Sequence, residues 1–599
     1  MPLKTGVIDL SSPPPHGESS GPAQSSTVID LDTQDKTSVT STANMQQPHY
    51  LATLDRAAME RERLLRVSKS LGGGRPKRER EMSDDDNDLN LNDASVDGDD
   101  GSAQKNMHVD NAFPAVVADA TNGGPSKRVR EDNSLQLPYP LGIVKKTAVN
   151  GYPRKGDDIT IEEVLQPAKL RAAVLSAFQW HYEWILDKVF LGRTQLVLVV
   201  PAKGHEAREA LRSMLSTVPN TRICTPNMDG LINCMHSKLQ LLFYDTYLRV
   251  CVPSANLTNY DWGEGDGVIE NIMYIHDFPL REKRHSAGAE IGRFAKELIY
   301  FVEAQGMFPD IVDRLRTEVL WQNTDSVRFV HSIGGEHREE SRIWRTGYPG
   351  LSKAVKELGG NGRTEAQIDY VVSSMGSITP VLVEAIYKAA TGKQLSISTY
   401  PRSSESSFAP IKSRIRVYFP THDTVATSKG GFMSAGTICF SRSYWNKPAF
   451  PRQIIRDGRS VRRGCLMHDK IMFVRFEHPA DLSDGTRVAG VVYIGSANMS
   501  ESAWYVDASV CELPMRSNRS HRGKLVNDSA TKRLKLNLRN WECGVVIQIP
   551  NSGRSESCQM KSVEETFTGI VPTPMETTLT EYNNKLPWFF TEAEWRKYH

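Results

Sequence analysis

The sequence has few of the features that mark metal-binding, secreted or membrane proteins. Its eight cysteines form no CxxC pair and no His/Cys spacing typical of zinc ligands. We therefore expect reduced thiols in an intracellular protein without structural zinc. The N-terminus has no basic-then-apolar leader, and no apolar run approaches the roughly 18 residues of a membrane helix. These absences predict no signal peptide and no membrane partner.

An excess of charge of either sign is also missing. The 73 basic and 71 acidic residues leave a net charge of +2, so any affinity for nucleic acid must come from local patches. Aromatic residues are scarce in the first 155 positions, which are rich in Ser, Asp, Pro, Gly and Asn. Such a segment cannot bury enough apolar surface to fold, and we predict that residues 1–155 form a disordered tail.

Beyond the tail, strand and helix patterns alternate. Thr160 and Glu163 fit a capping box, and the apolar run 194–200 predicts a buried strand. The second half repeats this rhythm, with strands at 369–372 and 414–419 around a helix at 379–390. The pattern predicts an α/β protein in which each mixed sheet is flanked by helices. We place a first domain at 156–335 and a similar second domain at 336–599, related by a pseudo-twofold axis.

One short motif occurs twice, about 230 residues apart. The copies are His236-Ser-Lys238 with Ser254-Ala-Asn256, and His468-Asp-Lys470 with Ser496-Ala-Asn498. In an extended strand residues two apart share a face, so the His and Lys of each copy project together. An imidazole can act as nucleophile, acid or base, while lysine and asparagine donate to phosphoryl oxygens. A single His-x-Lys would be a chance surface pair, but two copies followed by Ser-Ala-Asn favour a phosphodiester site.

These motifs give the chain a specific resemblance to the tyrosyl-DNA phosphodiesterases of the phospholipase D superfamily, in a fungal form. The resemblance runs from about Asp157 to the C-terminus and includes the segments 159–166, 174–180 and 494–504. General phospholipase D motifs carry an aspartate five residues after the lysine. Phe243 and Arg475 stand at those positions here, which fits the tyrosyl-DNA branch and opposes a lipid-cleaving member.

The resemblance implies a role for each motif residue. His236 would be the nucleophile and His468 the general acid, then the base that activates water. Lys238, Lys470, Asn256 and Asn498 would hold the phosphate oxygens. The family also places an acid or amide downstream of each Asn to orient the histidines.

The best matches for these orienting groups are Glu270 and Glu542, with Asn271 as the rival of Glu270. An exposed strand-end carboxylate is the alternative interpretation of either glutamate. Ser373, Ser374 and Ser500 resemble DNA-backbone contacts of the family.

The implied reaction is hydrolysis of the bond between a topoisomerase I-derived tyrosine and a DNA 3′ phosphate. It would pass through a phosphohistidine, need no metal or other cofactor, and leave a 3′ phosphate. The partners would be DNA with 3′-blocked ends, single- or double-stranded, and a topoisomerase I peptide, with the protein a monomer. Two alternatives stay open: another phospholipase D-type nuclease or lipid hydrolase, and a non-catalytic DNA-end binding protein.

Short motifs in the tail suggest a cellular location and a binding partner for the protein. The basic clusters at 75–80 and 126–130 suit nuclear import, with solubilising charge as the alternative. The repeated strings Val7-Ile-Asp-Leu10 and Val28-Ile-Asp-Leu31 resemble SUMO-interacting motifs, which add a strand to a partner's sheet, although four-residue matches also occur by chance. The basic segment 516–539 fits a DNA-backbone contact or a solvated loop equally well.

Overall fold

The structure is a computed structural model that describes most of the chain beyond the tail. The described residues are 137–230, 232–265, 268–282, 291–362, 365–393, 405–504, 526–527, 534–551, 561–578, 581–582 and 584–590, and all of them belong to one compact unit. Both basic clusters and both Val-Ile-Asp-Leu strings lie outside the described residues, as does most of the basic segment 516–539.

The strands fall into two series. Those of the first half are β1 (Ile143–Thr147), β2 (Asp158–Ile159), β3 (Ala172–Ser176), β4 (Gln195–Val199), β5 (Thr221–Cys224), β6 (Cys234–Met235), β7 (Gln240–Phe243), β8 (Tyr247–Pro253), β9 (Ile269–Glu270) and β10 (Ile272–Pro279). Those of the second half are β11 (Val327–Ser332), β12 (Gly335–His337), β13 (Ala366–Val371), β14 (Ile415–Phe419), β15 (Ile455–Asp457), β16 (Leu466–Met467), β17 (Ile471–Asp481), β18 (Arg487–Gly495), β19 (Val526–Asn527), β20 (Leu534–Leu538) and β21 (Asn540–Pro550).

Helices connect these strands in both halves. The described α-helices are α1 (Ile161–Leu165), α2 (Tyr182–Asp187), α3 (Gly204–Leu215), α4 (Arg293–Ala304), α5 (Pro309–Thr317), α6 (Glu340–Ile343), α7 (Gly347–Glu357), α8 (Pro380–Ala390), α9 (Glu405–Lys412), α10 (His422–Ala426), α11 (Arg442–Trp445), α12 (Glu501–Trp504) and α13 (Val563–Phe567).

The two large sheets share one strand order, apart from the additional edge strand β2 in the first. The first runs β2-β1-β10-β8-β7-β3-β4-β5, and the second runs β11-β21-β18-β17-β13-β14-β15. In each sheet the last three strands are parallel to one another. The preceding pairs are antiparallel, except that β2 pairs in parallel with β1 at the start of the first sheet. The predicted α/β fold with two similar mixed sheets is therefore confirmed.

The inner faces of the two sheets share one apolar core. Val250 and Val252 on β8 belong to the same buried cluster as Val492 and Ile494 on β18. Alternate residues of the second sheet, such as Tyr370, pack instead against the helices outside it. Because both sheets bury the same face against each other, the two halves fold around a common interior.

Short strands also connect the halves directly. β6 pairs in parallel with the start of β21, and β16 pairs in parallel with β9. β6 and β16 each end immediately before a motif histidine. The cross-pairing therefore fixes each histidine to the opposite half of the molecule.

Both predicted domain boundaries need correction. β1 lies within the predicted tail 1–155, yet it pairs with β10 in the first sheet. β11 lies within the predicted first domain, yet it pairs with β21 in the second sheet. β1 lies between β2 and β10 in the first sheet, and β11 lies at the edge of the second. Both strands are short, and only their pairing with a strand distant in the sequence identifies the sheet to which they belong. The capping box of Thr160 and Glu163 at the start of α1 is confirmed.

Candidate active site

His236 follows β6, and its backbone continues the pairing of that strand with β21. The amide of His236 donates to the Trp541 carbonyl at 2.9 Å. The equivalent contact in the second motif joins the His468 amide to the Glu270 carbonyl at 2.8 Å. These two hydrogen bonds hold both histidine backbones at the junction of the halves.

Glu542 is the side-chain partner of His236. Nδ1 of His236 donates to Oε2 of Glu542 at 2.8 Å. Ser496 Oγ donates to the same oxygen at 2.6 Å, and Asn540 Nδ2 donates to Oε1 at 2.9 Å. An ionised carboxylate only accepts hydrogen bonds, so the shared proton lies on Nδ1 and Nε2 keeps a lone pair. The structure therefore gives Glu542 the orienting contact predicted for it.

The electrostatic surroundings favour a neutral His236. The pKa of His236 is lowered to about 4, mainly by burial, with Lys238 and Lys470 acting in the same direction and Glu542 opposing them. The action of Lys470 on this pKa places the second motif beside the first. Burial raises the pKa of Glu542, but its contact with His236, the charge of Lys238 and the hydrogen bond from Ser496 together outweigh burial and hold that pKa below its ordinary value. An uncharged imidazole beside an ionised carboxylate is a competent nucleophile.

His468 is oriented by an amide instead of a carboxylate. Its Nδ1 donates to Asn271 Oδ1 at 2.9 Å. Asn271 Nδ2 donates to the Asp261 carbonyl at 2.7 Å, and Ser254 Oγ donates to Asn271 Oδ1 at 2.9 Å. These contacts fix which end of the amide faces the histidine, so the proton lies on Nδ1 and the reactive nitrogen is Nε2.

Of the two candidates for the orienting group downstream of Asn256, Asn271 makes the contact with a histidine, and the preferred candidate Glu270 does not. The Glu270 side chain accepts hydrogen bonds from Ser460 Oγ and, at 2.7 Å, from Arg462 Nη1. Side chains alternate along an extended strand, and Asn271 directly follows β9. When the Glu270 carbonyl pairs with the His468 amide, it is therefore Asn271 whose side chain faces the imidazole.

The motif lysines and asparagines are fixed beside the histidines. Lys238 Nζ donates to the His236 carbonyl at 2.8 Å, and Lys470 Nζ donates to the His468 carbonyl at 2.6 Å. Asn256 Oδ1 accepts from the Gln179 amide at 3.2 Å. Within the described residues, the buried Nδ2 of Asn256 has no hydrogen-bond partner. A buried donor of this kind suits an oxygen of a bound phosphate.

The three predicted DNA-contact serines differ in their surroundings. Ser373 is buried, and its amide and Oγ donate to Asn498 Oδ1 at 3.0 and 3.3 Å. Ser373 therefore positions Asn498, and its predicted contact with DNA stays a prediction. Ser374 and Ser500 are half-buried, and the Ser374 amide also donates to Asn498 at 3.0 Å. Their predicted contact with DNA stays a prediction.

Asp261 is a site residue that the sequence analysis missed. Its Oδ2 lies 3.4 Å from His468 Nδ1 and accepts from the Asn256 amide at 2.6 Å. It lies in the 3₁₀ helix Tyr260–Trp262 and is fully buried. The sequence does contain a signal for Asp261, because Trp262 and Trp504 each follow a motif Asn by six residues. Aligning the two tryptophans places Asp261 opposite Ala503 and singles out the acid.

Two features of the described residues bear on other classes of function. No group of three His, Cys, Asp or Glu side chains among them is arranged to hold a metal ion. None of the described helices is long and apolar enough to cross a membrane.

Comparisons with known proteins identify the family and the fold. The sequence model of the tyrosyl-DNA phosphodiesterase family matches residues 143–583. The crystal structure of yeast tyrosyl-DNA phosphodiesterase is similar with a TM-score of 0.52 and 16% identity, covering 75% of this chain and 100% of that chain. A histidine-to-asparagine variant of the yeast enzyme gives a TM-score of 0.51 and 17% identity, over 75% of this chain and 100% of its own. These structures support the fold, and the sequence match shows that the chain belongs to the tyrosyl-DNA phosphodiesterase family of DNA-repair phosphodiesterases.

Proposed function

We propose that the protein hydrolyses the bond between a topoisomerase I-derived tyrosine and the 3′ phosphate of DNA, without a metal ion. The observation that carries the proposal is the placement of two histidines whose Nδ1 atoms are both engaged by acceptors, at 2.8 and 2.9 Å. Each imidazole thereby keeps Nε2 for chemistry, one as a nucleophile and one as an acid and base.

In the first step His236 Nε2 attacks phosphorus. A P–N bond forms and the P–O bond to tyrosine breaks, with its electron pair leaving on the phenolic oxygen. His468 in its protonated form donates its Nε2 proton to that oxygen. Tyrosine is a good leaving group because its pKa is about 10, far below the roughly 16 of water.

In the second step water releases the phosphohistidine. The neutral His468 now accepts a proton from water, and the water oxygen attacks phosphorus. The P–N bond breaks and its electron pair returns to His236 Nε2, leaving DNA with a 3′ phosphate. Water is a poor nucleophile without a base, so this step depends on His468 more strongly than the first.

The negative charge on the phosphoryl oxygens is met by fixed donors. Lys238 and Lys470 supply positive charge, and Asn256 and Asn498 supply amide N–H groups whose orientation is set by hydrogen bonds to their oxygens. Donors that are already oriented need no rearrangement as charge develops. These four side chains support a reaction that proceeds in the absence of a metal.

The test is cleavage of a 3′-phosphotyrosyl oligonucleotide in EDTA, resolved on a gel. We expect tyrosine release and a 3′-phosphate product at the rate seen without chelator. Activity that is lost in EDTA and restored by a divalent ion contradicts metal independence. Cleavage of unmodified DNA or of lipid in place of this substrate favours another phospholipase D-type reaction, and binding without cleavage favours a DNA-end binding protein.

DNA would approach the site past Ser374 and Ser500, which lie beside Asn498 in the chain fold. Lys447 lies near this edge, where its exposed Nζ donates to Ser377 Oγ at 2.8 Å. We propose that these groups contact the DNA backbone. Replacement of both serines by alanine is then expected to raise KM several-fold with kcat unchanged, since such contacts bind substrate and transition state alike. An unchanged KM contradicts the contact.

We propose that the N-terminal tail directs the protein to the nucleus and binds SUMO, and is dispensable for chemistry. A chain beginning at Leu137 is expected to keep its turnover but lose nuclear enrichment. A chain beginning at Asp157 is the matched control and is expected to lose turnover. It lacks Thr147, whose Oγ1 accepts from the Asn271 amide at 2.9 Å.

The SUMO proposal has its own test. Changing the Val, Ile and Leu residues of Val7–Leu10 and Val28–Leu31 to alanine in the full chain should weaken SUMO binding measured by calorimetry, with turnover unchanged. Equal affinity of the unmodified and altered chains contradicts the motif assignment.

A further inference from the structure

Asp261 contacts both catalytic motifs. Its Oδ2 accepts from the amide of Asn256 at 2.6 Å and lies 3.4 Å from Nδ1 of His468. The side chain is fully buried, and within the described part of the chain its Oδ1 has no hydrogen-bond partner. A buried carboxylate at this distance from an imidazole acts mainly through its charge.

The repeat within the chain allows an internal comparison. Ser254 Oγ bonds to Asn271 and accepts from the Ile272 amide at 3.0 Å. Ser496 Oγ bonds to Glu542 in the same way and accepts from the Cys543 amide at 3.0 Å. Asn271 and Glu542 are therefore equivalent positions of the two halves.

A second pair of equivalent positions follows the motif asparagines. Asp261 and Trp262 come five and six residues after Asn256, and Ala503 and Trp504 come five and six residues after Asn498. The half whose orienting residue is the amide Asn271 thus has an aspartate five residues after its motif asparagine. The half whose orienting residue is Glu542 has alanine there. Each histidine has one carboxylate at its Nδ1, supplied from a different position.

A negative charge beside His468 stabilises its protonated form more than a hydrogen bond to an uncharged acceptor does. As general acid, His468 must carry a positive charge in a site where its side chain is fully buried. Burial disfavours that charge unless an opposite charge is near. The amide of Asn271 orients the ring but carries no charge, whereas Asp261 carries charge at a longer distance.

We propose that Asp261 is the charged partner of His468, and that Asn271 and Asp261 together fill the role that Glu542 fills alone for His236. The inference rests on the proposed function, because it assigns His468 a charged state in the reaction. Asp261 is a positioning residue that acts through His468. The neighbouring loop has a separate anchor, since Trp262 Nε1 donates to the Asn256 carbonyl at 2.9 Å.

The test moves the carboxylate from one residue to the other. Asp261→Asn keeps the shape and an acceptor for the Asn256 amide but removes the charge. The double variant Asp261→Asn/Asn271→Asp restores one carboxylate against His468 Nδ1. Single-turnover and steady-state cleavage of the 3′-phosphotyrosyl oligonucleotide are measured together with the fraction of enzyme trapped as a covalent DNA adduct.

We expect Asp261→Asn to lower kcat by about 10²-fold, within the range of general acid–base effects, with more covalent adduct than the unmodified chain. The double variant should recover at least about tenfold of that loss. Wild-type turnover in Asp261→Asn overturns the proposal, as does a folded double variant that is no faster than the single one. If Asp261→Asn fails to fold, recovery of folding and turnover by the relocated carboxylate supports the proposal, and no recovery overturns it.

Failure of the proposed function gives a different result. It appears in the unmodified chain as absent cleavage or as cleavage without a covalent adduct on His236. The comparison of variants is made only against a chain that passes that first measurement, so the two failures are distinguishable.

Discussion

The two halves of the molecule share one scaffold but surround their histidines differently. Strand order, the short cross-pairing strand and the serine that holds the orienting residue are the same in both. The orienting residue itself is Glu542 for His236 and Asn271 for His468. A duplicated fold can therefore carry two chemical roles when only the groups behind the imidazoles change.

This difference matches the two steps of the proposed reaction. A nucleophile needs a neutral ring at working pH, and burial with two lysines lowers the pKa of His236 to about 4. A residue that acts as acid and then as base must instead change charge during each cycle. The carboxylate of Asp261, 3.4 Å from His468 Nδ1, is close enough to favour the charged ring without holding it as tightly as Glu542 holds His236. The cross-pairing places the partner of each histidine in the opposite half, so neither half holds a complete site.

The largest expected effect comes from the nucleophile. His236→Ala should lower turnover of the 3′-phosphotyrosyl oligonucleotide by roughly 10⁴- to 10⁶-fold, as loss of other enzymatic nucleophiles does. No covalent DNA adduct should form, because the atom that bonds to phosphorus is gone. Denaturing gel electrophoresis of labelled DNA measures both. An adduct on the His236→Ala protein would reverse the assignment of the two histidines.

A smaller effect is expected at the second histidine. His468→Asn should slow turnover by about 10²- to 10⁴-fold, and the covalent adduct should accumulate. The phenol can leave with modest assistance, whereas water attacks slowly without a base. The same gel assay measures adduct as a fraction of enzyme. Equal loss of both steps with no adduct would contradict the division of roles between the halves.

Much of the fold could be predicted from the sequence because its signals are local. The apolar run at 194–200 and the helix at 379–390 were recognised from periodicity, and both are present as β4 and α8. Local periodicity does not reveal β3, since Ala172–Ser176 is buried at every position and lacks alternation. The cross-pairing of β6 and β16 depends on contacts some 200 to 300 residues apart, which no local pattern contains.

The site residues could likewise be predicted only where their signal is local in the sequence. The repeated motif identified the histidines, lysines and asparagines, because His-x-Lys on a strand fixes a common face. The choice between Glu270 and Asn271 required the register of β9 against β16, where Met467 pairs with Glu270. A one-residue change of register exchanges the two faces of a strand, so adjacent candidates could not be separated in advance.

The contacts that link the two halves also differ in kind, and removing one of them tests how much it contributes to the stability of the fold. Arg462 reaches from the second half to the first, where its Nη1 donates to Glu270 at 2.7 Å and to the Thr147 carbonyl at 2.9 Å, and its Nη2 donates to Asp158. Trp541 also reaches from the second half to the first, where its Nε1 donates to the Asn227 carbonyl at 3.1 Å. The first link is ionic and the second uses uncharged groups.

Arg462→Met should therefore destabilise the chain by about 3–5 kcal/mol, since it leaves buried carboxylates without their charged partner. Urea unfolding followed by circular dichroism measures the change. Trp541→Phe is the control, because it loses one neutral hydrogen bond and should cost about 1 kcal/mol. Equal losses for the two variants would contradict an ionic contribution specific to one link.

The smallest effect concerns the middle residues of the motifs, Ser237 and Asp469. Both are fully buried. Burial raises the pKa of Asp469 well above its ordinary value, with Glu270 acting in the same direction. Among the described residues neither carboxylate oxygen of Asp469 has a hydrogen-bond partner. In the folded chain Asp469 is therefore protonated at pH values where the unfolded chain is ionised.

It follows that the folded state binds one more proton than the unfolded state, so this group adds stability as the pH falls and subtracts it as the pH rises. Asp469→Asn cannot bind that proton and should be more stable than the unmodified chain at pH 7. The advantage should shrink towards pH 4, where the unfolded aspartate is also protonated. Urea unfolding at pH 7, 5.5 and 4 measures this, and Ser237→Ala, which has no titrating group, should show no such trend. A less stable Asp469→Asn at pH 7 would mean that Asp469 is an ionised member of the network around Arg462, and that the two motifs differ there by a full charge.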